Sequence, residues 1–235
     1  MDTYSLKVTN DSENATTFAM YLQGPTLSSG DTFYTLAWQS KYCPRYSTVN
    51  FSWQLKYNAL MSQPDEKLAV GVVCDVRQAS QSRAMKTQNQ ASMKVTSSQI
   101  FEVDLDGINT STLSYLRAQN AFELGLWTKG SAGSISTNCD ESVPNSLTTS
   151  SKSVAGVGVG IDGSGALIIG AQPNMLFEWN MDELSYYLVT GDYKTGEILD
   201  VSATQNIALK VNYDQILNNS AILDSNNKLK LTDED

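Results

Sequence analysis

Apolar residues recur at every second position in short segments along most of the chain. Tyr4, Leu6 and Val8 alternate with Ser5, Lys7 and Thr9 before the turn-like run Asn10-Asp-Ser-Glu-Asn14. Phe51, Trp53, Leu55 and Tyr57 alternate with Ser52, Gln54 and Lys56. The pattern returns from Phe101 to Leu105, Phe122 to Leu126, Met175 to Trp179 and Ile207 to Val211. A period of two belongs to β-strands with one apolar and one wet face. Such faces are buried only by stacking sheets or by closing a sheet on itself. Short strands between turn signals therefore predict an all-β protein, a two-sheet sandwich of the jelly-roll kind with one or two short helices.

Particular segments sharpen this reading. Two apolar runs between Val154 and Gly170 flank Asp162-Gly163-Ser164-Gly165, which predicts a hairpin. The run from Leu68 to Val76 is apolar on both faces and predicts a central strand. From Thr112 to Gln119, Leu113 and Leu116 sit three apart behind Ser and Thr, which predicts a helix of two turns. Ser185 to Thr190 predicts a strand, Asp192 to Gly196 a turn, and Glu197 to Val201 its partner. No shift of composition divides the 235 residues, so the chain reads as one domain, 1–235. Polar stretches at 77–99 and 128–153 read as excursions from the sandwich. The longest apolar runs, Leu68 to Val73 and Ala166 to Ala171, fall far short of the ~20 residues of a membrane helix.

Composition narrows the chemistry. The chain contains no histidine. Ser-His-Asp and Cys-His catalysis in their usual form need an imidazole, and so do most catalytic zinc sites. An enzyme here would work with carboxylates, a thiol, a lysine or tyrosines. Asp and Glu number 25 against 16 Lys and Arg, a net charge of −9. An acidic chain without a basic run repels phosphate backbones and anionic lipid, so neither nucleic acid nor a membrane is an expected partner. Cys43, Cys74 and Cys139 lie far apart without a Cys-x-x-Cys. They read as buried free thiols in a reducing compartment, one disulfide plus a free thiol being the alternative. Met1-Asp-Thr-Tyr-Ser-Leu-Lys-Val has no basic n-region and no apolar h-region. A cytoplasmic location is expected, with leaderless export as the other route. Sequons at Asn10, Asn14, Asn50, Asn109 and Asn218 carry no weight in so Asn- and Ser/Thr-rich a chain.

Few residues stand out as sites. Glu102, Asp104 and Asp106 fall on one face of a predicted strand, with neighbours about 6.5–7 Å apart. That arrangement suits a calcium ion helped by loop carbonyls, or, at the lower edge of the spacing, the carboxylate pair of an inverting glycosidase. A solvated strand face is the plain alternative. Asp224-Ser-Asn226-Asn227 lacks full calcium-loop spacing and reads as a turn. Most aromatics are needed in the core. Tyr42, Tyr46 and Tyr193, with Asp192, lie in loop-like polar contexts and are the ligand-binding candidates. Gly158-Val-Gly160-Ile-Asp-Gly163 has dinucleotide-loop spacing, but a second strand follows where a helix is required. Gly156, Gly158 and Gly160 instead make one bare strand face, which calls for close packing by a strand, an aromatic ring or a flat ligand.

Three paired stretches carry a family resemblance. They are Thr35-Leu-Ala-Trp-Gln-Ser-Lys-Tyr42 with Thr48-Val-Asn-Phe-Ser-Trp-Gln-Leu55, Val157-Gly-Val-Gly-Ile-Asp-Gly-Ser-Gly165 with Ala171-Gln-Pro-Asn-Met175, and Tyr187-Leu-Val-Thr-Gly-Asp192 with Gly196-Glu-Ile-Leu-Asp200. In this order they resemble the rhizosphere-expressed (RhiA-like) proteins of plant-associated bacteria, over roughly residues 4–213. The resemblance implies a soluble protein without an established reaction, and it carries over no catalytic residues. It further implies a microbe that meets other organisms, with expression tied to high cell density. Residues and resemblance together point to a non-enzymatic, lectin-like protein that takes a glycan or a protein partner through loops at one end of the sandwich. A self-assembling inclusion or surface-layer protein is the alternative, favoured by low charge density, many Ser, Thr and Asn, and β-rich edges. A homo-oligomer fits either. A carboxylate-based glycoside hydrolase using Glu102, Asp104 or Asp106 stands third. No cofactor is expected, calcium excepted.

Overall fold

Strand Thr3–Asn10 shows how the alternation is used: Leu6 and Val8 are fully buried, while Thr3, Lys7 and their row face water. The structure, a computed structural model, describes residues 2–24, 26–27, 33–63, 66–74, 82–83, 93–95, 98–145, 155–181, 184–213 and 216–232. The chain is all-β. Its helical content among the described residues is one turn, Val201–Thr204, and a 3₁₀ turn, Arg117–Gln119. The strands pair in four sheets.

Two four-stranded sheets position the site described below. Leu229–Thr232, Asn218–Leu223, Thr3–Asn10 and Ser47–Gln54 make one, in that order. Leu209–Val211, Ser185–Gly191, Thr16–Gln23 and Gln39–Cys43 make the other. A tight turn joins Gln39–Cys43 to Ser47–Gln54 at one edge, and Leu209–Val211 lies beside Leu229–Thr232 at the other. The two sheets thus meet along both edges, which protects strand edges from foreign pairing. A six-stranded sheet runs through Gly156–Ile161, Ser164–Gly170 and Tyr57–Ser62, and a seven-stranded one through Ile108–Leu116, Ser134–Cys139 and Met175–Asn180. One hydrophobic core, including Phe18, Trp53, Phe101, Phe122 and Trp179, touches all four sheets. The pairing is not purely antiparallel: Thr3–Asn10 runs parallel to Asn218–Leu223, and Ile108–Leu116 to Ser134–Cys139.

The hairpin is present as expected. Gly156–Ile161 and Ser164–Gly170 pair antiparallel around Asp162 and Gly163, both at positive φ (51° and 77°). Two positive φ values are the signature of the tight turn whose twist matches a hairpin. The bare glycine face is filled from within. A Cβ on Gly158 would lie 2.0 Å from the Leu167 carbonyl oxygen, and one on Gly160 2.0 Å from that of Ser164. The partner is therefore the neighbouring strand. Trp38 adds to it by donating from Nε1 to the Ile161 carbonyl at 3.0 Å.

Other expectations are corrected. Residues 112–119 are not a helix: strand Ile108–Leu116 runs through them to the 3₁₀ turn, and Leu113 pairs with Leu124. The spacing of three puts Leu113 and Leu116 on opposite faces of the strand, Leu113 buried and Leu116 half-buried, and the β-branched Thr110 and Thr112 favour the strand. Leu68 to Cys74 is not a central strand but a turn, broken at Gly71 (φ 86°), with Val70 59% exposed. Residues 75–76 lie outside the described residues. The strand expected from Phe51 to Tyr57 is two strands, Ser47–Gln54 and Tyr57–Ser62, which pass from one sheet to another at Leu55 and Lys56. Glu197 and Ile198 bridge Val73 and Leu36 rather than pairing with Ser185–Gly191, which lies between Thr16–Gln23 and Leu209–Val211. The polar stretch 128–153 contains a largely buried strand, Ser134–Cys139, whose Ser and Thr residues are tucked between two neighbours. Its residues 146–153 lie outside the described residues, as do 77–81, 84–92 and 96–97 of the other excursion and the last three residues of the tail.

Candidate functional site

The ligand-binding candidates from the sequence gather at one end of a four-stranded sheet. Tyr42 and Gly191 stand opposite Thr17 on either side of it, so they are about 10 Å apart on one face. The Tyr193 ring covers Gly191, where a Cβ would come within 2.5 Å of it. Asp192 is exposed beside it. Tyr46 lies past the turn at Pro44, at positive φ (54°). Asn10 builds this end: its fully buried amide nitrogen donates to the carbonyls of Asn14, Cys43 and Pro44, and its oxygen accepts from the backbone and hydroxyl of Ser12. Tyr42 and Tyr46 are 66% and 62% exposed and form a rim rather than a cavity wall.

The three acidic candidates do not share a strand face. Strand Gln99–Glu102 ends at Glu102, and Asp104 and Asp106 belong to the turn that follows. There the Asp104 carboxylate accepts from the Asp106 N–H at 3.2 Å, and the Asp104 carbonyl from the Gly107 N–H at 3.0 Å. Among the described residues no group of three Cys, Asp or Glu is placed to hold a metal ion. A more constrained carboxylate is Asp140. Burial would raise it, but the Ser114 and Ser142 hydroxyls and the Ser142 N–H all donate to it and hold it below the usual carboxylate range. Those bonds fix the turn after Ser134–Cys139, a structural use. Cys43, Cys74 and Cys139 are free and buried. Burial pushes the Cys74 thiol up to about 11 and the Cys139 thiol to about 12, so both are inert as nucleophiles near neutrality.

The concave site lies at the opposite end, at the mouth between the two closed sheets. It is a cleft of about 270 Å³. Its walls are the rings of Tyr4, Tyr57, Tyr186 and Tyr213, with Leu55 and Leu184 at the side. Each tyrosine stands at or just beyond the end of a strand: Tyr4 in Thr3–Asn10, Tyr57 and Tyr186 at the starts of Tyr57–Ser62 and Ser185–Gly191, and Tyr213 after Leu209–Val211. Strand ends converge at a mouth, and tyrosine suits one because its ring packs on the core while its hydroxyl meets water. Trp53 underlies them, 5.2 Å from Tyr186, 5.1 Å from Tyr213 and 6.0 Å from Tyr4 between ring centroids. Burial pushes the Tyr186 hydroxyl up to about 12 and raises that of Tyr213 further. Both stay protonated and uncharged at neutral pH. No Asp or Glu lines the cleft among the described residues. Lys210 reaches it from a position that shares the outer sheet face with Tyr187, opposite to Tyr186 and Val211.

Sequence reasoning set Tyr57 and Tyr186 among the core aromatics and did not single out Tyr4 or Tyr213. The usable signal was position: tyrosines recurring at strand ends. No curated protein and no solved structure matches the chain. The RhiA family does match, over residues 1–234, so the resemblance in the three paired stretches extends across the whole fold. The chain belongs to the RhiA family.

Proposed function

We propose that this is a non-enzymatic, lectin-like binding protein that holds a glycan in the tyrosine-lined mouth. The observation that carries the reading is the mouth itself: four tyrosines converge there on a cleft whose described lining includes Lys210 and no carboxylate. Aromatic faces with hydroxyl tips match the alternating C–H and O–H surfaces of sugars. Clefts at the mouths of closed β-structures are frequent ligand sites. Carboxylate chemistry would need an acid and a base flanking the bound bond. The exposed Tyr42 and Tyr46 at the far end serve as the comparison surface.

A glycan array probed with the purified chain, with and without calcium, tests this. A defined sugar is expected to bind, to be lost in Tyr57→Ala, and to survive Tyr42→Ala and Tyr46→Ala. Loss in the Tyr42 and Tyr46 variants instead would move the site to the rim. A blank array would sink the glycan reading, and sedimentation at rising concentration would then show whether the chain assembles.

A further inference from the structure

The mouth contains a polar floor that the protein does not satisfy. Tyr186 is 5% exposed and lines the cleft, yet its hydroxyl makes no hydrogen bond to a described residue. Trp53 Nε1 is buried behind it and also lacks a partner; it faces the Tyr186 hydroxyl without reaching hydrogen-bond geometry. Buried polar groups are nearly always paired, so an open pair at the bottom of a cleft marks a place kept for a ligand atom. Tyr213 already donates to the Ser5 carbonyl at 3.0 Å, and Tyr4 is stacked on Trp53 with its ring nearly parallel, 16° between planes. The cleft volume of about 270 Å³ falls below the roughly 300–1,000 Å³ of drug-sized sites, room for one ring and not for a chain.

We infer that the mouth takes the terminal residue of a glycan, a single pyranose. Tyr186 donates to one of its oxygens, and the tyrosine rings face its C–H surface. Trp53 is a positioning residue: when Tyr186 turns to the sugar, the indole N–H comes within reach of the Tyr186 oxygen and directs the hydroxyl proton at the sugar. This inference rests on the glycan reading above and names the class of sugar and the atoms that select it.

The test is titration calorimetry on the full chain with methyl glycosides of neutral hexoses. A neutral glycoside is expected to bind. Tyr186→Phe should weaken the neutral sugar about tenfold, the effect of one hydrogen bond. Its thermal midpoint should not fall, because the hydroxyl it removes is unsatisfied in the free protein. A merely structural hydroxyl would leave affinity unchanged. Should Tyr186→Phe not fold, the wild-type chain still decides: the ¹⁵N-labelled Trp53 indole proton should move downfield on saturation with sugar. Unchanged affinity in Tyr186→Phe or an unmoved Trp53 indole overturns the inference while leaving the glycan reading in place. No binding by any sugar, on the array or in the calorimeter, overturns both.

Discussion

At the scale of single residues, two buried asparagines do more for the architecture than their side-chain size indicates. Asn10 and Asn109 are both 0% exposed. Asn10 ties the turn after the first strand to the turn after Cys43 through three carbonyls. Asn109 donates to the Leu105 and Ser131 carbonyls and accepts from the Gly130 N–H and the Thr110 hydroxyl. Each satisfies backbone groups that have no sheet partner. Asn10→Ala should leave several buried carbonyls and the Ser12 groups unpaired and cost roughly 2–4 kcal/mol. Urea unfolding of the variant against the parent measures it; a loss below about 1 kcal/mol would mean water replaces the amide. In the sequence both look like sequons or turn residues. Nothing local shows which carbonyls they reach, because Cys43 and Ser131 lie far along the chain.

At the scale of elements, the hairpin Gly156–Ile161 with Ser164–Gly170 was legible down to its turn. Asp-Gly between apolar runs has a mechanism behind it, the positive φ of both turn residues. Its glycines are not equivalent. Gly163→Ala meets backbone strain at φ 77°, worth about 1–2 kcal/mol. Gly158→Ala puts a Cβ 2.0 Å from the Leu167 carbonyl oxygen, which forces the two strands apart. The second variant should therefore be several-fold more costly than the first, or fail to fold. Circular dichroism and denaturant titration of the pair check it, and equal costs would show that the strands yield. Elements misread from the sequence share one cause. Leu113 and Leu116, or the run from Leu68, are apolar patterns too short to separate strand, helix and turn. Pairing with Leu124 decided the first case and the Gly71 turn the second.

For the whole molecule, burial of uncharged acids predicts sensitivity to alkali. The thiols of Cys74 and Cys139 stand at about 11 and about 12 in the folded chain, and Tyr186 at about 12, each pushed up first by burial. A raised pKa means that the folded state holds its proton longer than the unfolded one. The stabilisation is complete below the unfolded values, near pH 9 for the thiols and 10 for tyrosine, and drains away as pH rises toward 11–12. Between pH 8 and 10.5 the two thiols alone should cost roughly 4 kcal/mol. Urea midpoints under reducing conditions across that range measure it. A flat profile would show that these groups are reached by solvent. Below pH 8 Tyr186 and Tyr213 keep their protons, so these two contribute no pH dependence to binding there.

The sequence by itself determined the class of the protein and the chemistry closed to it. Alternation with turn signals leaves only layered β-structure, because period-two faces have no other way to be buried. The missing histidine removes imidazole catalysis whatever the fold. The family, too, was readable from three paired stretches and holds over residues 1–234. Only the tertiary structure decided where the concave site lies. Tyr4, Tyr57, Tyr186 and Tyr213 come from four strands spread across the chain. Their meeting depends on two sheets closing along both edges and on a parallel pairing between the first strand and Asn218–Leu223. Pairing between distant strands is set by burial of whole faces, a property of the assembled core that no local window contains.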